Sequence, residues 1–105
     1  MPISVSQTDS IERALLVTGF PYDRKTSREN NFAQFLTLKR RAQGIRRLGS
    51  AALDLSLVAA GSLDGYWEMK LKPWDIAAGL LIAREAGAIH SDWQGRPVEL
   101  ARGEV

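Results

Sequence analysis

The sequence predicts an α/β domain, in which short strands alternate with helices. Short apolar runs close on Gly, Pro or Asp-Gly, helical runs begin after Ser or Pro and end before Gly, and the two kinds alternate along the chain. The chain has 105 residues, 45% hydrophobic and 25% charged, which is the composition of an ordinary globular protein and the length of one domain. We therefore expect a layered α/β domain and not a helical bundle or a β-sandwich.

The first part of the chain contains one predicted strand and one predicted helix. Residues 14–20 form a short apolar run that ends before a proline, as is typical of a buried strand. The polar stretch that follows is predicted to be a loop, with Ser27 or Asn30 as the cap of the next helix. That helix is predicted over 32–41, because apolar residues recur at near-helical spacing and cations crowd its last turn.

The middle of the chain carries the most clearly marked helix. Residues 45–48 are compatible with a short strand. The apolar segment 51–60 follows, and Ser50 suits its N-cap while Gly61 suits the position after its C-cap. An Asp-Gly turn then leads into an aromatic segment at 66–69, which is predicted to be a strand.

The last part of the chain contains a second apolar helix followed by extended segments. Pro73 precedes this helix and Gly87 follows it. Residues 88–92 are a predicted strand, and residues 98–100 a last extended piece. His90 is the only histidine and falls in the predicted buried strand, so we expect it to have a structural role.

Charge and composition argue against several classes of function. The formal net charge is +2, so no strong field of one sign points to nucleic acid. Without cysteine the chain has no disulfide, thiolate metal site or cysteine nucleophile. The N-terminal residues show no signal peptide, and the apolar runs are shorter than the ~20 residues of a membrane span. We therefore expect a cytoplasmic protein with no nucleic-acid or membrane partner.

Asp75 is the first candidate for chemistry, because it stands in the first turn of the last apolar helix. An aspartate there accepts backbone N–H groups and interacts favourably with the helix dipole, so one interpretation is a helix cap. The other interpretation is a metal ligand, since a carboxylate fixed at a helix start keeps one oxygen for a hard cation. Capping and ligation are compatible, and spacing alone leaves both open.

Glu68 and the start of the middle helix are the other candidates. Glu68 is either the partner of a neighbouring lysine at the surface or an acceptor for the hydroxyl groups of a polyol. Gly49, Ser50 and Ala51 are by default a capped helix start. The exposed N–H groups of such a start also suit a phosphate or a hydroxyl.

Several of these motifs together resemble one family. The sequence RLGSAALDLSLVAAGSLDGYWE at 47–68, followed by WDIAAG at 74–79 and EAG at 85–87, is similar to the C-terminal half of the inositol monophosphatase family. The sequence TGFP at 18–21 also fits, and the resemblance extends over about 16–97. These motifs are specific, because they occur at the spacing that the family shows.

The resemblance implies a magnesium-dependent phosphomonoesterase, inhibited by lithium, with a layered αβαβα fold of which this chain forms the C-terminal half. It implies that Asp75 ligates a catalytic metal, in a complete site of two or three Mg²⁺ ions. It also implies that Glu68 binds inositol hydroxyls and that Gly49, Ser50 and Ala51 lie against the substrate. The implied partners are a small phosphorylated polyol and, in the parent family, a second copy in a homodimer.

The chain also departs from the family pattern. In the family, the N-terminal half supplies a metal-binding glutamate and an Asp-Pro-Ile/Leu-Asp-Gly-Thr motif, whereas these 105 residues contain no Asp-Pro dipeptide. Mg²⁺ favours about six oxygen ligands, and a two-metal mechanism needs several carboxylates. We therefore expect residues 1–105 to be a single partial domain that binds Mg²⁺ weakly and is inactive alone.

Two hypotheses follow for the function of the chain. The first is a fragment of a phosphatase whose function is that of the parent enzyme. The second is a non-catalytic module that pairs with a separate N-terminal half or with a second copy. The parent's substrate also stays open, because family relatives with the same signatures act on histidinol phosphate or fructose 1,6-bisphosphate.

Overall fold

The computed structural model describes residues 2–105 and contains a three-stranded sheet with helices. The strands are β1 (Leu15–Thr18), β2 (Gly44–Arg46) and β3 (Gly65–Trp67), and the helices are α1 (Phe32–Arg41), α2 (Ala51–Ala59) and α3 (Pro73–Glu85), with one 3-10 turn at Ile11–Arg13. The strands run parallel in the order β2-β1-β3. The predicted α/β class is confirmed, although the strands are shorter than expected.

β1 is the central strand and the most deeply buried one. Leu16 pairs with Ile45 of β2 on one side and with Gly65 of β3 on the other. Val17 and Thr18 are both 0% exposed. Because all three strands are parallel, their carboxyl ends lie at one edge of the sheet.

α2 and α3 pack against each other over the sheet and form the core. Leu55, Ile76, Leu80 and Val105 make one buried cluster. Gly79 allows the close approach of the two helices, since a Cβ there would lie 2.8 Å from the Cβ of Leu55. A larger residue at this position would force the helices apart.

Several large apolar side chains of these two helices are exposed. Trp74, Leu81 and Ile82 of α3 are 78%, 58% and 42% exposed, and Leu53 of α2 is 49% exposed. We call these four residues the outer helix face. No helix within residues 2–105 has both the length and the hydropathy needed to cross a bilayer.

α1 is attached to the sheet through aromatic contacts and has no buried residue. The ring of Phe20 packs against Phe32 and Phe35, at centroid distances of 5.2 and 5.4 Å. The N-cap is Asn31, in the left-handed conformation with φ 74°, and not Ser27 or Asn30. Asn30 still contributes, because its Oδ1 accepts the N–H of Phe32 at 3.0 Å.

Two predicted extended elements do not form in this structure. Residues 88–92 and 98–100 contain no strand in the part of the chain described. His90 is consequently exposed, and the prediction that it lies on a buried strand is wrong. The physical reason is that a strand needs a neighbour to pair its backbone groups. Neither segment has a strand beside it, because the sheet consists of β1, β2 and β3.

Candidate functional site

The carboxyl ends of the strands and the first turns of α2 and α3 surround one cavity. This cavity of about 420 Å³ opens between Gly19 after β1, Arg47 after β2 and Glu68 after β3, with Ser50 and Asp75 from the helix starts. Ligands of open α/β sheets bind beyond the carboxyl ends of the strands. We call it the site cavity.

All the residues that the sequence singled out for binding line the site cavity. They are Gly49, Ser50, Ala51, Glu68 and Asp75. They come from three separate segments of the chain, namely the start of α2, the end of β3 and the start of α3. The fold therefore brings the whole predicted set together, while the role of each residue stays a prediction.

The start of α2 is a capped helix end that leaves space in front of it. The Oγ of Ser50 accepts the N–H of Leu53 at 3.2 Å, which confirms the predicted cap. Gly49 has φ 83°, a conformation that favours glycine. A Cβ on Gly49 would meet nothing within 4 Å, so the space beside it is open. The N–H groups of Ala51 and Ala52 have no acceptor within the helix and are available to an anion.

Asp75 is a helix cap that retains one oxygen for another partner. Its Oδ2 accepts the N–H of Lys72 at 2.9 Å, and its own N–H donates to the carbonyl of Lys72 at 2.9 Å. The capping interpretation is therefore confirmed. No donor within residues 2–105 bonds to the other oxygen, Oδ1, so the geometry is compatible with ligation as well.

Glu68 is held in place by two neighbours. The hydroxyl of Tyr66 donates to Glu68 Oε1 at 2.6 Å. The backbone of Gly19 lies against the same carboxylate, since a Cβ there would come 2.6 Å from Oε2. Burial, together with the charge of Asp75, raises the pKa of Glu68, and the Tyr66 hydroxyl and Arg47 oppose that rise. The site cavity therefore has a partly desolvated carboxyl group on its floor.

Asp54 is a candidate that the sequence did not reveal. It lies in α2, is 1% exposed, and no group in the described part of the chain bonds to its buried Oδ1. Burial, with the charge of Glu68, raises the pKa of Asp54 to about 6. Buried carboxyls with perturbed pKa values are common at functional sites. The available signal was that Asp54 is the sole ionisable residue of α2, one turn after Ser50.

Asn31 ties the site end of the sheet together, and the sequence did not reveal this either. Its Nδ2 donates to Thr18 Oγ1 at 3.0 Å and to the carbonyl of Gly19 at 2.9 Å. Its Oδ1 accepts the indole N–H of Trp67 at 2.6 Å. The side chain is 1% exposed, so these bonds form in a buried environment and fix the ends of β1 and β3.

Arg47 supplies positive charge to the site cavity. Its guanidinium carbon lies 5.2 Å from the centroid of the Phe20 ring, within the range of a cation–π contact. Lys70 also lines the cavity, but its Nζ pairs with Asp23 at 2.8 Å. Arg47 is therefore better placed than Lys70 to meet an anionic ligand.

The residues present here do not by themselves fit a magnesium site. No group of three or more His, Cys, Asp or Glu side chains converges on one point within residues 2–105. Asp75 offers one free oxygen, and the nearby Glu68 already accepts the Tyr66 hydroxyl. Mg²⁺ takes about six oxygens in octahedral order. A complete coordination sphere therefore requires ligands from outside this chain.

The fold and the site define a class of protein. It is a parallel α/β domain whose cavity combines a helix N-terminus, an arginine and carboxylates, groups that can bind an anion and neighbouring hydroxyl groups. Comparison with family models agrees, because the model of the inositol monophosphatase family matches residues 1–105. The chain belongs to the inositol monophosphatase family.

Relatives with names and structures match almost the whole chain. It is 52% identical over 104 residues to the inositol-1-monophosphatase of Synechocystis sp., covering 99% of this chain and 36% of that protein. It is 44% identical over 105 residues to Nus factor SuhB of Pseudomonas aeruginosa, covering 98% and 39%. The inositol monophosphatase structure from Anabaena (Nostoc) sp. superposes with a TM-score of 0.95 at 48% identity, covering 98% and 41%. The chain thus spans 36–41% of these relatives and matches their C-terminal portion, as the sequence predicted.

Proposed function

We propose that this chain supplies part of the substrate-binding site of a magnesium-dependent phosphomonoester hydrolase of the inositol-1-monophosphatase type. One observation carries the proposal: Gly49, Ser50, Ala51, Glu68 and Asp75, which lie on separate segments, line one cavity at the carboxyl ends of the strands. Membership of the inositol monophosphatase family supports the class of reaction.

The chemistry of the site cavity favours a phosphorylated polyol as substrate. The free N–H groups at the start of α2 and the charge of Arg47 suit a phosphate. The carboxylate of Glu68 suits neighbouring hydroxyl groups, which donate to it. Tyr66 and Gly19 fix that carboxylate before substrate arrives, and this lowers the cost of ordering it on binding.

Asp75 is proposed to contribute one ligand to a magnesium site whose other ligands lie outside residues 1–105. This follows from the single free oxygen of Asp75 and from the lack of a metal cluster within the described residues. Residues 1–105 would then be a partial domain, as expected from the sequence. We assign no reaction step to the metal, because this chain does not hold its site.

The proposal is tested by joining this chain to the remainder of a related enzyme. A fusion replaces the matching C-terminal portion of the Synechocystis inositol-1-monophosphatase with this chain, and phosphate release from inositol 1-phosphate is measured with Mg²⁺. We expect turnover, a loss of at least about a hundredfold in kcat with Asp75→Asn, and a rise of about tenfold in KM with Glu68→Gln.

Glu85→Gln is the matched control, because Glu85 is an exposed acid on the same helix as Asp75. We expect unchanged kinetics for it. An active fusion whose kcat is the same with Asp75→Asn would contradict the assignment of that residue. A higher kcat/KM for histidinol phosphate or fructose 1,6-bisphosphate would favour the alternative parent enzyme. For the isolated chain we expect no turnover, and activity that depends on Asp75 would contradict the proposal that it is partial.

The outer helix face favours a second candidate function, that of a pairing module. Leu53, Trp74, Leu81 and Ile82 are exposed apolar side chains, and a protein interface would bury such side chains. Light scattering of the isolated chain tests pairing with a second copy. We expect a dimer that Leu81→Lys dissociates, and a wild-type monomer would contradict self-pairing. The expected cytoplasmic location and the expected absence of a nucleic-acid partner stay predictions.

A further inference from the structure

The loop that follows β1 is attached to the segment after β3 by one lysine side chain. Lys70 lies three residues after the end of β3, and its Nζ lies 3.0 and 2.8 Å from the two carboxylate oxygens of Asp23. The same Nζ donates to Ser27 Oγ at 3.1 Å. The three N–H groups of the ammonium thus have three acceptors, all on one segment. We call residues 21–27 the rim loop.

The backbone of Lys70 has an unfavourable conformation. Its φ is 57°, in the left-handed region that favours glycine. The next residue is fixed, because the N–H of Leu71 donates to the carbonyl of Gly103 at 3.1 Å. Such conformations persist where the surrounding structure holds them, and they are concentrated at functional sites. The backbone of Lys70 therefore indicates a functional role for its side chain.

The rim loop consists of two turns that share Asp23. The carbonyl of Asp23 accepts the N–H groups of Thr26 and Ser27, at 3.0 and 2.9 Å. The N–H of Arg24 donates to the carbonyl of Pro21 at 3.1 Å, so Asp23 lies within this turn as well. Because the ion pair holds the side chain of Asp23, it also fixes the backbone of the adjacent Arg24.

Arg24 brings a second guanidinium group to the site cavity. It lines the cavity together with Arg47 and is partly buried. Within residues 2–105 no carboxylate forms an ion pair with Arg24, whereas Asp23 neutralises Lys70. A guanidinium suits a phosphate, to which it can donate two parallel hydrogen bonds. Arg24 is therefore free to bind an anion in the site cavity.

We propose that Arg24 is a further binding residue for the phosphate of the substrate and that Lys70 is its positioning residue. The ion pair with Asp23 holds the rim loop beside the site cavity, and the loop presents the guanidinium to the anion. Lys70 itself contacts no substrate, because its N–H groups already have acceptors. This inference rests on the proposed function, which places a phosphomonoester in the site cavity.

Removal of the charge on Asp23 separates positioning from direct attraction. Asp23→Asn removes a negative charge close to the site cavity and weakens the hold on the ammonium of Lys70. If Lys70 attracted the anion directly, this variant would bind a phosphomonoester more tightly. If the ion pair positions Arg24, the same variant binds it less tightly. The sign of the change in affinity therefore distinguishes the two roles.

Binding of inositol 1-phosphate to the chain is measured by NMR, from the shift of the backbone N–H of Ala51 at the start of α2. We expect Kd to rise about tenfold with Arg24→Gln, and about fivefold with Asp23→Asn or Lys70→Met. Lys25→Gln is the matched control, because Lys25 is an exposed cation next to Arg24 that does not line the site cavity. Its Kd should change less than about twofold.

The double variant of Arg24→Gln with Lys70→Met tests whether Lys70 acts through Arg24. We expect its Kd to equal that of Arg24→Gln alone, because a positioning residue has no effect once the residue that it positions is replaced. Additive losses, tighter binding with Asp23→Asn or an unchanged Kd with Arg24→Gln would overturn the inference and leave the proposed function standing. No shift of Ala51 in the wild-type chain would overturn both.

A measurement without ligand tests the positioning role by itself. The steady-state heteronuclear NOE of the Arg24 backbone N–H reports motion on the picosecond to nanosecond timescale. We expect this NOE to fall with Lys70→Met and with Asp23→Asn, and to stay unchanged with Lys25→Gln. An NOE that is the same in the wild type and in Lys70→Met would overturn the positioning role, whether or not the chain binds the phosphomonoester.

Discussion

Glu68 and Asp54 have pKa values that are shifted in the opposite direction from those of Asp64 and Asp92. Burial, together with negative neighbours, raises the pKa of Glu68, which lines the site cavity, and raises the pKa of Asp54, whose carboxyl group interacts with that of Glu68, to about 6. Asp64 and Asp92 line a larger cavity of about 540 Å³, and hydrogen bonds lower the pKa of both carboxyl groups against the effect of burial. The larger cavity therefore has two stabilised carboxylates, whereas Glu68 and Asp54 resist ionisation.

The lowered pKa values have a clear structural cause. Asp92 accepts the backbone N–H groups of Arg96 and Gln94, both at 2.9 Å, and the Nε of Arg96 at 3.2 Å. These bonds satisfy the charged form and fix a turn. Asp64 Oδ2 accepts the N–H of Leu15 at 2.7 Å, which joins the residue to β1. These hydrogen bonds explain why the pKa values of both carboxyl groups are lowered.

Asp54 differs because no group in the described residues bonds to its buried Oδ1. A buried polar atom without a partner reduces stability, and such costs concentrate at functional sites. The comparison shows that the fold retains two carboxyl groups, Asp54 and Glu68, in unfavourable electrostatic surroundings, which distinguishes them from Asp64 and Asp92.

The largest expected effect is the stabilisation produced by Asp54→Asn at high pH. The pKa of Asp54 is about 6 in the folded chain against 3.8 for the ordinary group. Stability is therefore lost as the pH rises from about 4 to about 6, because the folded state holds the proton more tightly. At about 1.4 kcal/mol per pKa unit, the loss above pH 6 is on the order of 3 kcal/mol. Urea unfolding should show a gain of that order for Asp54→Asn at pH 8 and almost none at pH 4.

Asp9→Asn serves as the control for this prediction. Asp9 has an 80% exposed side chain, so its replacement should change the free energy of unfolding by less than about 0.5 kcal/mol at either pH. An equal effect of Asp54→Asn on the free energy of unfolding at pH 8 and pH 4 would show that ionisation of Asp54 does not destabilise the folded chain. The contrast between Asp54 and the stabilised carboxylates Asp64 and Asp92 would then fail.

Asp64→Ala is expected to have the next largest effect, with the opposite sign. It removes the acceptor of the Leu15 N–H and should cost about 1–2 kcal/mol at pH 8. Although burial opposes it, hydrogen bonds from Leu15, Ser6 and Thr8 lower the pKa of Asp64. The contribution of the charged form is thus present above the unfolded pKa and lost as the pH falls through the folded pKa.

Urea unfolding between pH 8 and pH 3 checks this direction. As the pH falls, the loss of unfolding free energy caused by Asp64→Ala should become smaller. The gain of unfolding free energy caused by Asp54→Asn should also become smaller over the same pH range. Asp64→Asn keeps an acceptor oxygen, so it should lose only about half of the stability that Asp64→Ala loses. A difference for Asp64→Ala that grows toward pH 3 would contradict the structural role of this carboxylate.

The elements that the sequence predicted best are those determined by local contacts. α2 follows from Ser50, whose Oγ bonds only three residues away, and the cap at Asp75 likewise bonds to Lys72. The prediction of a strand at residues 88–92 failed for the opposite reason, because a strand depends on a neighbour that is distant in sequence. Their pattern was correct for a strand, but the sheet as described ends at β3.

The residues of the candidate site show the same difference between local and long-range determinants. The helix starts and the carboxylates made Gly49, Glu68 and Asp75 candidates, the family motifs implied a role for each, and the fold brings them to one cavity. Asp54 and Asn31 were missed, because their importance arises from burial and from partners on other segments. A lone aspartate within an apolar helix is the kind of local inconsistency that marks such a residue.

Gly19→Ala is expected to have the smallest effect on stability and the most local one. Its Cβ would lie 2.6 Å from Glu68 Oε2, so the carboxyl group must move away. A flexible side chain can yield, and we expect a cost of about 1 kcal/mol. The move should break the bond from Tyr66 and expose Glu68 to water. Burial raises the pKa of Glu68 by more than the Tyr66 hydroxyl lowers it, so the gain of exposure should outweigh the loss of that bond. The NMR titration midpoint of the Glu68 carboxyl carbon should therefore fall in the variant.

The double variant with Glu68→Ala separates this effect from a general strain in the backbone. If Gly19 acts only by making room for the carboxylate, Gly19→Ala should cost nothing further once Glu68 is truncated. An equal loss of stability with and without the Glu68 side chain would mean that Gly19 is required by the backbone after β1 and not by the carboxylate of Glu68. The position of Glu68 would then have to be explained by the hydrogen bond from Tyr66 alone.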